Sequence, residues 1–507
     1  MKNLITSTAI ILIIGNVASA QAPNKVWEKT FIGSSASSSS SFHAVKSTSD
    51  GGCIAVGKGK GSGGDLPSGY IDKGDALIVK TSSNGTVEWS DYWGQQEEDN
   101  AMSVFQTSDG GFVIAGYTAH MGSGLNLGGI DGFVVKYDAS GSLVWGKNYG
   151  GSGNDLIYDI KQTSDGGYIF VGTTYSSEVS GYHGGSDVWI VKLNSAGVVT
   201  WSSAKGYSDY ESAKSVAIAS DGSYFITGST NSPEATNHKG ANDAWVLRIN
   251  TNGTIAWQNS IGGTDDDGGS QVIQGADGSV WVAGRTKSND KDISGNHSNG
   301  KQDLLLAHLD ASGTLLTTKV YGGTENEATG YTDEQNIMQT SDGGFIMLTS
   351  TNSNNGDVDG NHGSYDFWLL KVNASGTLLW QKCIGTAIQD YAFSLDLSSD
   401  GGYLMAGIGD GTKAFLAKYK NGTSGIDDIK EAGVTVFPNP MNDYINIQSE
   451  RMIQSIDFID IMGREFNNIK IQNTHQKVDV THLVPGSYLI RFNFANGEKA
   501  STRLIKN

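Results

Sequence analysis

Cysteine, proline and charged residues are all scarce in this sequence of 507 residues. Two cysteines permit one disulfide at most, and six prolines exclude a collagen or a proline-rich linker protein. Charged residues make up only 17%, which argues against a coiled coil. Lysine and arginine number 35 against 53 aspartates and glutamates. The resulting net charge of −18 disfavours binding to nucleic acid or to an anionic membrane surface.

Long apolar runs are also missing, apart from a short one at the N-terminus. Lys2 supplies a positive charge, residues 9–14 are apolar, and Ala18 and Ala20 fit the small-residue rule for signal-peptide cleavage. The apolar run is shorter than the ~20 residues that a membrane-spanning helix needs. We therefore predict that residues 1–20 are a signal peptide, that the exported chain begins at Gln21, and that no transmembrane segment follows.

Glycine is abundant, with 69 residues, and much of it recurs in phase. A hairpin string typified by residues 107–111 occurs seven times, 56 to 65 residues apart. An apolar run that ends in a basic residue or histidine follows each copy, and most copies then have an Asn-Gly or Ser-Gly turn and a tryptophan. The hairpin aspartates are Asp50, Asp109, Asp165, Asp221, Asp277, Asp342 and Asp400, and the tryptophans are Trp89, Trp145, Trp201, Trp257 and Trp380, with Thr317 as the exception.

Each repeat is typical of four short strands, A to D, joined in pairs by tight glycine hairpins. Seven such units predict an all-β fold, a seven-bladed β-propeller over residues 21–422. The seventh repeat lacks strand D, and residues 26–32 have the pattern of one, so we expect this N-terminal strand to close the ring. Cys53 and Cys383 then lie in blades that are not neighbours, which predicts two unpaired thiols.

The strand D pattern supports the propeller by resemblance. Residues 138–145, which end in Trp145, resemble the tryptophan-docking motif of quinoprotein-type propellers. The resemblance implies that each tryptophan packs between neighbouring blades. The cysteine pair of quinone-cofactor dehydrogenases is absent, so the resemblance implies packing and not redox chemistry.

The composition changes after Gly422, because residues 423–433 form a polar linker and residues 434–507 contain no tryptophan and no hairpin string. Short strand patterns predict a small immunoglobulin-like β-sandwich. Its motifs, in order, resemble the type A C-terminal sorting domain of the type IX secretion system of Bacteroidota. The resemblance implies that the type IX machinery carries the chain to the cell surface or outside, and an ordinary adhesion module is the alternative. The motif residues are Pro438, Asn439, Pro440, Gly463, Arg464, Gly486 and Tyr488.

Acidic residues recur ten positions before the hairpin aspartates, where strand A begins. Because strand A is innermost, they are expected to form a rim near the central channel that binds a cation or a sugar. The alternative is that each carboxylate caps its own D–A crossover turn. The predicted ligand-binding residues are Asp99, Asp155, Glu211, Asp267 and Asp390, with the nearby aromatics Tyr182 and Tyr365; Ser40 and Thr332 take the place in the other two repeats.

The loops between strands B and C are long, and long loops on rigid scaffolds often carry function. Asp357, Asp359 and Asn361 resemble the start of a calcium-binding loop, which makes calcium a candidate cofactor, although no glutamate follows at the twelfth position. Each of four such loops also has one histidine, which would either bind a metal or stabilise the loop by a hydrogen bond. These histidines are His183, His238, His297 and His362.

Sequence motifs for hydrolase, metalloprotease and nucleotide-binding chemistry are absent. We therefore expect a secreted or surface-exposed, non-catalytic protein that binds a polysaccharide or a surface protein on its B–C and D–A loop face. A polysaccharide-degrading enzyme is the second hypothesis, with Glu325, Glu327 and Asp333 in the irregular sixth crossover as its candidate residues. The third is a structural component of a surface layer.

Overall fold

The computed structural model describes residues 22–34, 38–68, 73–94, 97–119, 128–298, 300–327, 337–421, 433–460, 464–470, 474–494 and 499–506. These residues form strands and turns, and within them no helix is long and apolar enough to cross a membrane. The chain divides into two compact units, Met1–Lys420 and Asn421–Asn507. The predicted signal peptide lies outside the described residues.

The first unit is built of seven four-stranded antiparallel sheets. Its strands are β1 (Asn24–Phe31), β2 (Ser39–Ser47), β3 (Cys53–Lys60), β4 (Asp75–Thr81), β5 (Val87–Trp93), β6 (Asp99–Gln106), β7 (Phe112–Thr118), β8 (Asp131–Tyr137), β9 (Leu143–Tyr149), β10 (Asp155–Gln162), β11 (Tyr168–Thr174), β12 (Asp187–Leu193), β13 (Val199–Lys205), β14 (Glu211–Ile218), β15 (Tyr224–Thr230), β16 (Asp243–Ile249), β17 (Ile255–Ile261), β18 (Asp267–Gln274), β19 (Val280–Thr286), β20 (Asp303–Leu309), β21 (Leu315–Tyr321), β22 (Ile337–Gln339), β23 (Phe345–Thr351), β24 (Asp366–Val372), β25 (Leu378–Ile384), β26 (Tyr391–Leu397), β27 (Gly402–Gly409) and β28 (Lys413–Lys420). Sheets 1 to 6 take four consecutive strands each, from β2–β5 to β22–β25. Sheet 7 consists of β26, β27 and β28, with β1 as its outer strand.

The sheets follow one another in a propeller-like arrangement. Each sheet packs on the next in chain order, and sheet 7 packs on sheet 1. The N-terminal strand β1 pairs antiparallel with β28, with Phe31 opposite Ala414. Cys53 and Cys383 are buried and free, as the sequence predicts.

The first strands of the sheets contact one another and form the innermost layer. Side chains of this layer accept hydrogen bonds from backbone N–H groups of the next sheet, which joins the sheets without a shared strand ladder. The acceptors are Ser103 for Ile160, Asp159 for Val216, Ser215 for Val272, Gln271 for Ile337 and Ser394 for Val45, at 2.7 to 3.4 Å.

Tryptophans of the fourth strands pack against the next sheet, which confirms the packing that the docking motif implies. A Cβ on Gly141, in the turn between β8 and β9, would lie 2.7 Å from the ring of Trp89 in sheet 1. The same relation joins Trp27 to Gly85, Trp145 to Gly197, Trp201 to Gly253 and Trp257 to Gly313. Sheet 5 has Thr317 instead of tryptophan, and Lys319 and Tyr321 contact the turn glycine Gly376 in its place.

The second unit has two antiparallel sheets around one apolar core. Its strands are β29 (Val434–Phe437), β30 (Tyr444–Ser449), β31 (Ile453–Asp460), β32 (Glu465–Lys470), β33 (His475–Asp479), β34 (Gly486–Phe494) and β35 (Lys499–Lys506). One sheet has the order β29-β30-β33 and the other β32-β31-β34-β35. Alternate residues of the two sheets, such as Ile445, Ile447, Phe458, Ile490 and Phe492, are buried together in the core between them.

Candidate functional site

The five predicted acidic residues lie where the inner strands begin, and all are buried, with at most 3% of the residue exposed. The carboxylates of four of them, Asp155, Glu211, Asp267 and Asp390, accept hydrogen bonds from their own crossover turns. Asp155 accepts from the N–H of Gly151 at 2.7 Å and Asp390 from that of Thr386 at 2.6 Å. These are the contacts of the turn-capping alternative. A further role of these carboxylates in ligand binding stays a prediction.

Each of these acidic residues faces a second buried carboxylate, which starts the third strand of the preceding sheet. A glycine lies between the two, and a Cβ on it would collide with oxygen atoms of both side chains. This glycine always precedes the inner-strand acid by five residues, which is the sequence signal that marks the pair. The six pairs are Asp75–Asp99, Asp131–Asp155, Asp187–Glu211, Asp243–Asp267, Asp303–Glu327 and Asp366–Asp390.

In sheet 6 the inner-strand acid is Glu327, whereas the ten-residue spacing points to Thr332. Glu327 accepts hydrogen bonds from the N–H of Gly323 at 2.9 Å and the hydroxyl of Thr351 at 2.8 Å. The spacing fails because five more residues separate Glu327 from Ile337 than separate Asp267 from Val272, its counterpart in sheet 5.

The candidate catalytic residues of the sixth crossover do not form an open pair in the part that the structure describes. Glu327 is fully buried, and Glu325 forms an ion pair with Lys301. Thr332 and Asp333 lie outside the described residues.

In three of the four second-to-third-strand loops, the histidine binds the carboxylate that starts the third strand. In the fourth, the backbone N–H of Lys239 donates to Asp243, and His238 Nε2 lies 3.2 Å from the carbonyl oxygen of Ala241. The backbone N–H of His183 donates to Asp187 at 2.7 Å. In His362 both the backbone N–H and Nδ1 lie within hydrogen-bond distance of Asp366, at 3.0 and 2.7 Å. These contacts are those of the loop-stabilising alternative for the histidines. The predicted aromatics are held locally as well, since the Tyr182 hydroxyl donates to the carbonyl of Gly185 and the Tyr365 ring packs on Tyr391.

The predicted calcium loop is engaged with protein partners. Asn361 donates to the carbonyl of Thr351 and accepts from the N–H of Gly363. Asp357 accepts from the N–H of Gly322 and lies 3.6 Å from Nε2 of His297, while the carbonyl of Asp359 accepts from the side chain of Gln381. Within the described ranges, no group of three histidine, cysteine, aspartate or glutamate side chains could hold a metal ion. Calcium binding here stays a prediction.

In sheets 3 to 6 the second-to-third-strand loop folds over the outer strand of its own sheet. In sheet 3, for example, the carbonyl of Ser180 accepts from the N–H of Ala204 at 2.8 Å. In sheet 7 only residues 410–412 separate β27 from β28, which is too short a loop to cover β1. The repeat is therefore broken at sheet 7, whose own loop does not cover its outer strand.

An open cleft with about 680 Å³ of empty space lies at the junction of sheets 6 and 7. Phe367 and Phe415 form its apolar wall, with ring centroids 5.0 Å apart. Thr386, Asp390 and Asp410 form its polar wall, where the Thr386 hydroxyl lies 3.0 Å from an Asp390 oxygen and 3.3 Å from an Asp410 oxygen.

The lysines around the cleft are paired with carboxylates. Asp410 forms an ion pair with Lys413 at 2.9 Å, and Lys29, which lines the cleft, pairs with Asp65 at 3.4 Å. Glu28, on the same strand as Lys29, pairs with Lys25 at 2.9 Å. The cleft therefore combines aromatic rings, a hydroxyl and hydrogen-bonding carboxylates, and the lysines around it are paired.

The predicted sorting residues join the two ends of the second unit. Asn439, between Pro438 and Pro440, accepts a hydrogen bond from the N–H of Ile505 in the last strand at 3.0 Å. Arg464 forms an ion pair with Asp460 at 2.7 Å. The Tyr488 hydroxyl donates to the carbonyl of Val484, and Gly486 begins β34. Gly463 lies outside the described residues.

Residues 435–507 match the family described as the secretion system C-terminal sorting domain. The chain thus belongs to the class of secreted or cell-surface β-proteins that carry a C-terminal export module. That module is a type IX secretion sorting domain, as the motifs indicate, and it implies interaction with the type IX secretion machinery.

The rest of the chain has more distant relatives. It is 26% identical over 251 residues to the regulatory protein FlaEY of Caulobacter vibrioides, which covers 43% of this chain and 26% of that protein. The matched part is thus about a quarter of the length of the relative. PorZ of Porphyromonas gingivalis, a surface component of the type IX system, has a TM-score of 0.31 and 14% identity, over 90% of this chain and 69% of that one. The WD40 propeller domain of Doa1 has a TM-score of 0.46 and 12% identity, over 80% and 98%. These scores support no inference on activity.

Proposed function

We propose that this chain is a seven-bladed β-propeller that binds a ligand, followed by an immunoglobulin-like sandwich that directs its export. In this proposal residues 1–20 are a cleaved signal peptide, 21–422 the propeller, 423–433 a linker and 434–507 the sorting domain. The succession of seven sheets, with β1 completing the seventh, supports the propeller. The two sheets around one core support the sandwich.

The ligand-binding site in this proposal is the cleft between sheets 6 and 7. The observation that carries it is the loss of the covering loop in sheet 7 alone among sheets 3 to 7, which opens a cavity in an otherwise repetitive surface. Functional sites are usually concave and combine apolar walls with a few convergent polar groups, as here. Asp390, one of the residues expected to bind a ligand, lines this cleft.

The ligand in this proposal is a neutral polysaccharide. Sugar rings present C–H faces that pack on aromatic side chains such as Phe415, and hydroxyls that donate to carboxylates such as Asp410. The lysines around the cleft are already paired, so they provide no isolated cation to select an acidic sugar. Binding without hydrolysis fits the absence of a catalytic motif in the sequence.

The test is a pull-down of the chain with a panel of insoluble neutral and acidic polysaccharides, with an assay for released reducing ends. Thr386 is exposed at the mouth of the cleft, so Thr386→Trp should obstruct it and weaken binding at least about tenfold. Ala196→Trp, on an exposed turn outside the cleft, is the matched control and should bind normally.

Three results would count against the proposal. Equal binding by Thr386→Trp and the control would move the ligand elsewhere. Preference for acidic polysaccharides would contradict the charge argument. Release of reducing ends would favour the enzyme hypothesis over the binding protein.

A further inference from the structure

Two of the carboxylate pairs at the sheet junctions combine burial with a missing hydrogen bond. In the Asp187–Glu211 pair, between sheets 3 and 4, at most 1% of either residue is exposed. Asp187 Oδ2 accepts from the N–H of His183, but its Oδ1 has no hydrogen-bond partner in the described structure. Asp243 Oδ1, in the junction between sheets 4 and 5, is also buried and has no hydrogen-bond partner in the described structure. Burying a carboxylate oxygen without a hydrogen bond lowers the stability of the folded state, so each of these oxygens requires an explanation.

Each unpartnered oxygen lies against the same glycine as an oxygen of the neighbouring carboxylate. A Cβ on Gly206 would collide with Asp187 Oδ1 and stand 2.6 Å from Glu211 Oε2. On Gly262 it would collide with Asp243 Oδ1 and stand 2.6 Å from Asp267 Oδ2. The glycine thus lets two carboxyl groups approach each other behind the crossover turn.

Nearby cations do not compensate these pairs. Among the described residues, no lysine or arginine forms an ion pair with Asp187, Glu211, Asp243 or Asp267, and the Lys239 ammonium group is held by Asp292 at 2.7 Å. The other titratable groups that face the pairs are His183, whose Nδ1 lies 3.7 Å from Asp187, His238 near Asp243, and the Tyr182 phenol near Asp187.

We propose that each of these junctions is closed by a carboxylic acid that donates a hydrogen bond to the neighbouring carboxylate, so that the ring of sheets binds protons and loosens when they leave. A shared proton satisfies the unpartnered oxygen and removes the repulsion of two buried like charges. The device is separate from ligand binding in the cleft, and its test needs no ligand.

The acid–base properties of the pairs agree with this geometry. Burial raises the pKa of Asp187 to about 6 and that of Asp243 to about 6, and it also raises the pKa of Asp267. In the unfolded chain these groups ionise near pH 4, so between about pH 4 and 6 the folded ring holds protons that the unfolded chain has lost. Stability therefore falls as the pH rises through this window and levels off above it.

Tryptophan fluorescence provides a specific readout, because all 11 tryptophans lie in the first unit and residues 434–507 contain none. Urea unfolding of the full chain is followed at pH 4.5, 6.0 and 7.5. A single pair whose pKa is about 6 should shift the unfolding equilibrium about a hundredfold towards the unfolded state between pH 4 and 7. Stability that is constant or rises over this range would overturn the proposal.

Asp187→Asn tests one pair directly, because the amide can donate to Glu211 in place of the shared proton. It should weaken the dependence on pH and stabilise the ring at pH 7.5 relative to the wild type. The matched control is Asp165→Asn in the same sheet. The Lys192 ammonium group lowers the pKa of Asp165 to about 2, so this substitution should act equally at pH 4.5 and 7.5. If Asp187→Asn, like Asp165→Asn, changed the stability by the same amount at pH 4.5 and at pH 7.5, the shared proton would be contradicted.

A second measurement uses only the wild-type chain, in case Asp187→Asn fails to fold. Unfolding at pH 5.5 in weakly buffered urea should release protons into the solution, which a pH indicator detects. His308 acts in the opposite direction, because burial lowers its pKa and it takes up a proton on unfolding. No release, or net uptake, would overturn the proposal.

Discussion

At the scale of single residues, the hairpin aspartates hold buried cations. Asp165 is 63% exposed, whereas Lys192 is 10% exposed and donates to it at 2.8 Å. The aspartate also accepts from Thr163 and from the N–H of Gly167, so one carboxylate both shapes the turn and neutralises the lysine. The same ion pair recurs in Asp50–Lys80, Asp109–Lys136, Asp221–Arg248, Asp342–Lys371 and Asp400–Lys418.

Replacing Asp165 by Asn is expected to lower the free energy of unfolding by about 1 kcal/mol at pH 7, a value reduced for solvent screening. The Lys192 ammonium group lowers the pKa of Asp165 to about 2, so the stabilisation is complete above pH 4 and is lost as the pH falls through 2. Urea unfolding at pH 7 and pH 2.5 measures the difference. A loss at pH 2.5 as large as that at pH 7 would show that the ion pair is not its cause.

At the scale of elements, the turn between the third and fourth strands receives a tryptophan of the preceding sheet. Gly141 has φ of +83°, which disfavours other residues, and its missing side chain leaves space for Trp89. Glycine is thus favoured at this position for two reasons, the positive φ of the turn and the close approach of the tryptophan from the preceding sheet.

Gly141→Ala is expected to destabilise the first unit by about 2–3 kcal/mol, because the strain of a positive φ adds to displacement of the tryptophan ring. Gly166→Ala is the matched control, since Gly166 has φ of +77° and its Cβ would contact nothing within 4 Å. It should cost only about 1 kcal/mol. Thermal unfolding followed by tryptophan fluorescence compares the two, and equal losses would mean that the docking adds no stability.

At the scale of the whole first unit, β1 joins the two ends of the chain of sheets. It pairs with β28 along its length, and Trp27 packs on Gly85 of sheet 1. Without β1, the edge of β28 and the apolar surface under Phe31 would both be exposed.

Deletion of residues 21–31 is therefore expected to lower the melting temperature by 10 °C or more and to cause aggregation. Tryptophan fluorescence and light scattering measure these effects. Deletion of residues 421–507 is the control, because the second unit is compact in itself, and it should leave the melting temperature of the first unit unchanged. An equally stable, monomeric chain without β1 would contradict the role of this strand in closing the unit.

Much of the fold was predictable from the sequence because it is local and repeated. The Asp-Gly hairpins recur seven times and the tryptophan in all repeats but one, so each copy supports the assignment of the others. The sorting module was predictable from short motifs at fixed places, and the match over residues 435–507 confirms it. Spacing failed at sheet 6, because an insertion after Glu327 moves the hairpin without moving the acid that caps the crossover.

The repeat, the strands, the N-terminal strand as partner of the last sheet and the export module all follow from the order of the amino acids. The tertiary structure alone decided which carboxylates face each other and where the surface opens. Asp187 and Glu211 are 24 residues apart and meet only because neighbouring sheets pack around Gly206. The cleft of Phe415 and Asp390 likewise depends on a loop that is too short to cover the outer strand of sheet 7. Burial and proximity between sheets are properties of packing, so the glycine five residues before each inner-strand acid marks a carboxylate pair only once that packing is known.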